Sequence, residues 1–414
     1  VSDQIEEPTA TARNPLPALV VTAVAALVIL ALSFLPSTGG TDSEGAVFPS
    51  QVASYSWWTA GLRGSEVDAA VVVYQNGVGV EFMDFPQAVL IGTDGSTYRR
   101  LGAAEGRSFP ENQGDPAASV LSADGTFVVI AGSSRKGSIE VLRLSDGQSR
   151  SITIDDGRSA IPASITADGR SVLLLTSDDT LTPYQDMNFR LHADLALLDL
   201  ETGELRDFAE VAGTNSAAIS PDGSRIVADT DDGVVLIDVA DGRVTATDIV
   251  ARYAQLDGDA WAPDGESFAF QLGHALHVVD VSGRDAVERT VPLSGVDYGV
   301  AIGWRDDGTA LVYAGDDSGE NRAWFYWADT ESGELEQISA YTPDFTRASL
   351  SSADVARDLV PDLRVENRVP ERGGPPVWLL LPLALVPGLV VWLLTPKRPK
   401  RAAKKRPEVL SVQR

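Results

Sequence analysis

The 414-residue sequence contains no cysteine, which excludes disulfides, thiolate metal sites, thiol nucleophiles and a lipid-acceptor cysteine. Histidine is scarce: His192, His274 and His277 are the whole set. His274 and His277 stand three apart in GHALHVVDV, so on a strand they face opposite sides and cannot chelate one ion together. Neither an HExxH helix nor a GxSxG nucleophile elbow occurs. Asp229-Thr230-Asp231-Asp232-Gly233 opens like an Asp-rich calcium loop. Its twelfth position is Ala240, where an EF-hand needs a bidentate Glu, so a hairpin turn accounts for it. Asp178-Asp179 and Asp316-Asp317 read likewise as solvated turns. The sequence therefore names no catalytic residue, no metal ligand and no cofactor, although carboxylates brought together by folding are invisible to spacing.

Lysine is the other scarcity. Lys136 is the only one of five outside a C-terminal cluster, KRPKRAAKKR, which packs seven basic residues into Lys397 to Arg406. The total charge is −26; residues 1–14 carry −2 and 397–414 carry +7, which leaves −31 on the region between. Such a surface repels nucleic acid and anionic lipid, favours cationic or basic partners, and keeps an exported domain soluble.

Uncharged runs are confined to the two ends. Leu16 to Leu35 is long enough to cross a bilayer as a helix. Val377 to Leu394 is a second run, with Trp378 and Trp392 near its ends and Pro382 and Pro387 expected to kink it. The basic cluster places the C-terminus in the cytoplasm, and two spans return the N-terminus to the same side. This predicts a two-pass cell-membrane protein: a cytoplasmic tail at 1–15, a span at 16–35, a linker at 36–46, an extracytoplasmic body at 47–360, a linker at 361–376, a span at 377–394 and a basic cytoplasmic tail at 395–414. The acidic leader and the length of the first run favour an uncleaved anchor over a signal peptide. Leu35-Pro36-Ser37-Thr38-Gly39 matches a sortase pattern but lies behind an N-terminal span, the wrong side for that use. Ala18, Thr22 and Ala26 on one run, with Ala384 and Gly388 on the other, form small-residue rows that would let two helices approach closely.

The body is repetitive. Ser220 to Ile249 reads as three short strands, Arg225 to Thr230, Val234 to Val239 and Arg243 to Asp248, joined by Asp-Gly turns. A fourth strand before Ser220 completes an antiparallel sheet that cannot bury either face alone. One kind of turn recurs as SADG at 122–125, TADG at 166–169, SPDG at 220–223, APDG at 262–265 and RDDG at 305–308, at spacings of 44, 54, 42 and 43. A second kind, before the last strand, recurs six times: TDG at 93, SDG at 145, ETG at 201, ADG at 240, VSG at 281 and ESG at 331. Four strands in roughly 40–45 residues is the signature of propeller blades, and radial closure removes the open edges of an all-β stack. The reading is all-β: a six-bladed β-propeller, with a seventh blade possible in 47–76, flanked by two single transmembrane helices.

WAPDG at 261–265, SPDG at 220–223 and GWRDDG at 303–308, each followed by a strand and then a strand ending in Asp, resemble WD-repeat-like blades of the TolB type, here in a membrane-anchored bacterial form. The resemblance covers about residues 64–340. It implies a propeller; such blades serve as periplasmic scaffolds, in lipoproteins and as the gating half of prolyl-oligopeptidase-type enzymes. This chain departs from all three patterns, with no separate N-terminal domain, lipid-acceptor Cys or hydrolase domain accompanying the blades.

In a four-stranded blade the 1–2 and 3–4 turns share one face, and the 2–3 turns and blade links share the other. The first set is uniformly short here. The second varies, at Met83 to Gln87, Gly102 to Pro116, Ser177 to His192 and Ala314 to Ala323, and recognition loops sit where insertions concentrate. The loop 178–190 places Tyr184, Asp186, Phe189 and Arg190 together, residue types favoured at contacts, and these are the candidate partner-binding residues beside the alternative that the loop folds back on its own blade. Trp324-Phe325-Tyr326-Trp327 lies in a strand with both faces covered and reads as core. The function expected is a non-catalytic scaffold binding a protein partner on the outer face. The alternatives are a channel-sited hydrolase or lactonase and a sensor of a small ligand or glycan.

Overall fold

The turn at Ser220–Gly223 shows how each repeat is made. Ser220 Oγ donates to Asp222 Oδ1 (2.7 Å), the same oxygen accepts the Ser224 N–H (3.0 Å), and the Arg225 N–H returns to Ser220 Oγ (2.9 Å). The Asp side chain thereby takes the place of a backbone acceptor and fixes the reversal. Ser122 with Asp124 and Thr166 with Asp168 repeat the pattern at 2.7 and 2.6 Å.

The computed structural model describes residues 11–33, 45–79, 85–107, 112–132, 137–154, 157–186, 189–247, 249, 254–283, 285–293, 296–315, 319–373, 381–396 and 398–399. The Leu35–Gly39 motif, most of the linker at 36–46, most of both terminal tails and the start of the second apolar run lie outside these residues. The chain divides into two units, Gly40–Gly374 and the two ends together, Val1–Gly39 with Pro375–Arg414.

The larger unit is a six-bladed β-propeller. Blade 1 runs outward as Leu350–Val355, Ala70–Asn76, Gln87–Gly92 and Tyr98–Arg100. Its innermost strand thus comes from the far end of the chain and closes the ring, with Ala353 opposite Tyr74. Blades 2 to 4 are continuous: Ser119–Leu121 to Ser149–Thr153, Ser159–Ile165 to Leu205–Asp207, and Thr214–Ile219 to Val244–Ala246. Blade 5 has three strands, Ser267–Leu272, Ala275–Asp280 and Val287–Pro292, and holds its inner stretch by bridges at Gln255 to Gln271 and Trp261 to Phe268. Blade 6 spans Tyr298–Asp306 to Leu335–Tyr341 and receives Gln51–Val52 in parallel on its outer edge. Residues 47–76 are therefore no seventh blade: Val47–Pro49 pairs with Arg364–Glu366, and Ala70–Asn76 is the second strand of blade 1.

Each neighbouring pair of blades encloses its own apolar cluster, six in all among the described residues. Phe325 and Trp327 are buried between blades 6 and 1, and Tyr326 packs toward blade 5, so both faces of that strand are covered. The tryptophans of the WAPDG and GWRDDG phrases stitch blades together: Trp261 Nε1 donates to Ala218 O (3.1 Å) of blade 4, and Trp304 Nε1 to Ala260 O (3.2 Å) of blade 5.

In the smaller unit, the helix Leu16–Ser33 packs against Leu385–Leu394, which a short 3₁₀ turn Leu381–Ala384 precedes. A Cβ on Gly388 would collide with Thr22 Oγ1 and the Ala18 carbonyl, so the small-residue rows do meet. Outside that contact Leu19, Val24 and Leu389 are exposed. The expected membrane topology is corrected here, because no helix among the described residues is long and apolar enough to cross a membrane. For the second run the physical reason is length. Leu385–Leu394 has 10 residues, about 15 Å of helix, because the run carrying Pro382 and Pro387 breaks into a 3₁₀ turn and a short helix. Leu16–Ser33 has 18 residues, about 27 Å of helix, and the last two residues of the expected span, Phe34 and Leu35, lie outside the described residues. The two-pass localisation, with both termini cytoplasmic and the propeller outside, falls with it.

Candidate functional site

The axis of the ring is lined by the innermost strands, and it is blocked toward the short-turn face. Asp358 N donates to Ala123 O (3.0 Å) of the first turn of blade 2, which sets the 3₁₀ turn Arg357–Leu359 at that end. From there Arg357 Nε reaches Asp259 Oδ1 (3.1 Å), and its guanidinium donates to the Ile165 carbonyl. Deeper, Asp257 Oδ1 accepts the Asp259 N–H (3.2 Å), and Asp354 Oδ2 accepts the Leu121 N–H (2.5 Å). Three carboxyls thus share one guanidinium. Burial, reinforced by mutual repulsion, pushes Asp257 up to about 7 and Asp354 well above the usual carboxylate range, while Asp259 is also raised by burial, against the pull of Arg357. Ser164 Oγ donates to Gly258 O (2.6 Å), bringing blades 3 and 5 together across the axis. The Gly258 backbone lies so close to the Ala163 carbonyl that a side chain there would collide with it.

What remains is a cavity of about 300 Å³ floored by Asp257, Gly258 and Asp354 and walled toward the long-loop face by Leu181, Pro183 and Tyr184. Asp115 organises that rim. Its Oδ1 accepts Gly79 N–H (2.8 Å) from the long hairpin of blade 1, and its Oδ2 accepts the Tyr184 hydroxyl. Burial and the Asp115 charge together raise the Tyr184 phenol.

The four loop residues expected to meet a partner are not equivalent. Phe189 is 65% exposed and sets its ring edge-on to Tyr184 at 6.1 Å. Asp186 lies 3.3 Å from His192 Nε2. Arg190 is turned away from solvent: its guanidinium lies 3.5 Å from Asp229 and 3.4 Å from Asp231 and donates to Thr230 O (3.2 Å). The loop therefore folds onto blade 4 as well as over its own. The hairpin expected at 229–233 is there, but Asp229 is buried, 1% exposed, and burial lifts it to about 7. Met187 and Asn188 lie outside the described residues. His274 Nδ1 sits 2.7 Å from Asp297 O, and His277 pairs with Glu288. No group of three or more potential ligands is placed to hold a metal ion among the described residues.

Sequence reading missed the exposed aromatics. Trp57 and Trp58 are 47% and 54% exposed, and Trp57 meets Phe85 edge-on at 6.4 Å. Phe85 belongs to the long hairpin of blade 1 and Phe345, 77% exposed, to the link between blades 6 and 1. With Phe189 these are the five exposed aromatic residues of the propeller among the described residues, and blade geometry puts all five on the long-loop face. The Trp-Trp doublet at 57–58 was the available signal, hidden in a stretch read only as a possible seventh blade.

No family model and no curated protein matches the chain. Solved structures similar to it include TolB from Acinetobacter baumannii (16% identity over 67% of this chain and 68% of that one, TM-score 0.47) and a putative TolB from Agrobacterium tumefaciens (14%, 62% and 87%, TM-score 0.42). Another is the Cps50 (Swd1) β-propeller domain from Myceliophteria thermophila (12%, 56% and 73%, TM-score 0.39). The TolB-type, WD-repeat-like resemblance concerns fold alone, and the blade count rests on the chain's own sheets.

Proposed function

We propose that the propeller is a non-catalytic protein-binding module that takes a basic partner on its long-loop face. The observation that carries this is the placement of Trp57, Trp58, Phe85, Phe189 and Phe345, exposed on one face of a body whose surface is otherwise strongly acidic. Exposed large aromatics supply contact area at low entropic cost, and an acidic field steers a cationic partner toward them. The test is crosslinked capture by the full-length protein, run beside Trp57→Ala/Trp58→Ala/Phe85→Ala and beside Val287→Ala at the outer edge of blade 5. Loss of about tenfold or more in the aromatic variant alone supports the reading. Equal capture by all three proteins, or capture unaffected by salt, rejects it.

The floor of the cavity favours a second reading, a small-ligand or enzymatic site, because strongly perturbed carboxyls in a cleft are the usual mark of one. Asp257→Asn with Asp354→Asn would then abolish binding or turnover of a cationic small molecule while leaving partner capture intact.

A further inference from the structure

We propose that His192 is a pH-operated latch that clamps Asp186 and the stretch 189–193 onto blade 4 while its imidazole is doubly protonated and releases them when it is not. The inference rests on the reading that this loop belongs to the recognition face, and it adds the regulation of that face.

The ring of His192 stands between two carboxylates from different elements. Its Nδ1 lies 2.9 Å from Asp231 Oδ2, in the hairpin of blade 4, and its Nε2 lies 3.3 Å from Asp186 Oδ2, earlier in its own loop. Carboxylates only accept, and a neutral imidazole carries one N–H, so only the imidazolium satisfies both contacts. The two acids hold the proton on, Asp231 foremost, and raise the group above its ordinary value of 6.5. Below 6.5 the clamp is complete, and it is lost as pH rises through the raised value.

The other groups facing this contact divide cleanly. Asn215 Oδ1 accepts the N–H groups of Leu191 (3.1 Å) and His192 (3.2 Å), independently of pH. Arg190 holds Asp229, Asp231 and the Thr230 carbonyl. Asp229, raised to about 7 by burial, takes up its proton as pH falls and loosens its share of Arg190, the opposite sign to the latch. Arg190 still holds the Thr230 carbonyl and Asp231, whose carboxyl lies below its ordinary value, so the imidazole dominates. The backbone also depends on these contacts: Phe189 and His192 have φ of 57° and 50°, a left-handed region unfavourable to both residues. Release would move Phe189, whose ring stands edge-on to Tyr184 at the rim of the cavity.

A chain without cysteine makes the test direct. Phe189→Cys in the full-length protein gives one site for a nitroxide label, whose mobility is read from about pH 5 to about pH 9. The label should be immobilised in acid and at least about twofold more mobile above the transition. His192→Asn in this background tolerates the left-handed backbone but is too short to bridge, so it should leave the label mobile at every pH. Asp186→Asn, which removes one of the two acids, should move the midpoint to lower pH. A mobility flat with pH in the labelled parent, or the same transition in the His192→Asn protein, overturns the latch. If that variant fails to fold, the Asp186→Asn midpoint decides alone, an unmoved midpoint rejecting it. The mobility reads only the latch, and the partner reading stands or falls separately on capture.

Discussion

The two faces of the propeller are built from the same repeat and behave oppositely. On the short-turn face, Ser122–Asp124, Thr166–Asp168 and Ser220–Asp222 copy one hydrogen-bonded turn, and Arg357 with Asp259 closes the axis. On the long-loop face, a hairpin closing at Thr230–Gly233 stands beside one that leaves Ser177 and resumes at Asp194, and the five exposed aromatics among the described residues of the propeller are there. A tight turn must match the twist of its strands, so it tolerates few sequences; a long connection is free to vary once its ends are paired. Stability is thereby concentrated on one face and recognition on the other, and substitutions should sort the same way.

The largest effect belongs to Arg357→Met. Removing the one guanidinium among Asp257, Asp259 and Asp354 leaves buried charge without a counter-ion and should cost about 3 kcal/mol or more in urea unfolding. The pH dependence has a fixed sign. Carboxyls whose folded values lie above 3.8 take up protons on folding, so the stability they contribute is greatest in acid and declines as pH rises through about 7 for Asp257. The variant should therefore lose more at about pH 8 than at about pH 5, and an equal loss at both would show that Arg357 acts through packing alone.

A smaller loss is expected from Asp168→Ala on the same face, about 1 kcal/mol, since the side chain supplies two turn hydrogen bonds from a largely solvated position. The Thr166 hydroxyl foremost holds this carboxyl below its ordinary value. Its contribution is present above the unfolded value near 4 and lost as pH falls through the folded one, so variant and parent should converge in acid. Failure to converge would assign the turn's stability to its backbone.

The repeated turns were legible because Asp-Gly is a chemical requirement of the reversal, which is why six blades could be counted. The closing strand was not. SLSSADV at 349–355 carries no turn signal and pairs with Tyr74 and its neighbours, a partner that only the closed ring brings near. The axial carboxyls were hidden for the same reason, because Asp257 and Asp354 belong to different blades. Arg190 was singled out by its type as a contact residue; its ion pairs with Asp229 and Asp231 of the adjacent hairpin depend on the folded loop and could not be read from the sequence. In the second terminal run, hydrophobicity did not show where the helix begins: Pro382 falls in the 3₁₀ turn Leu381–Ala384, and the helix covers only Leu385–Leu394 among the described residues.

The smallest effect on stability, and the sharpest contrast, should come from Phe189→Asn on the long-loop face. Phe189 is mostly exposed, its ring touches only the edge of Tyr184 among the described aromatic contacts, and its φ of 57° is one that Asn adopts more readily than Phe. The lost ring contact and the relieved backbone oppose each other, so the stability change should stay within about 0.5 kcal/mol. Partner capture should fall nonetheless, because the lost surface faces outward. A destabilisation comparable to that of Arg357→Met would mean that the loop is part of the propeller's framework, and the division of labour between the two faces would have to be abandoned.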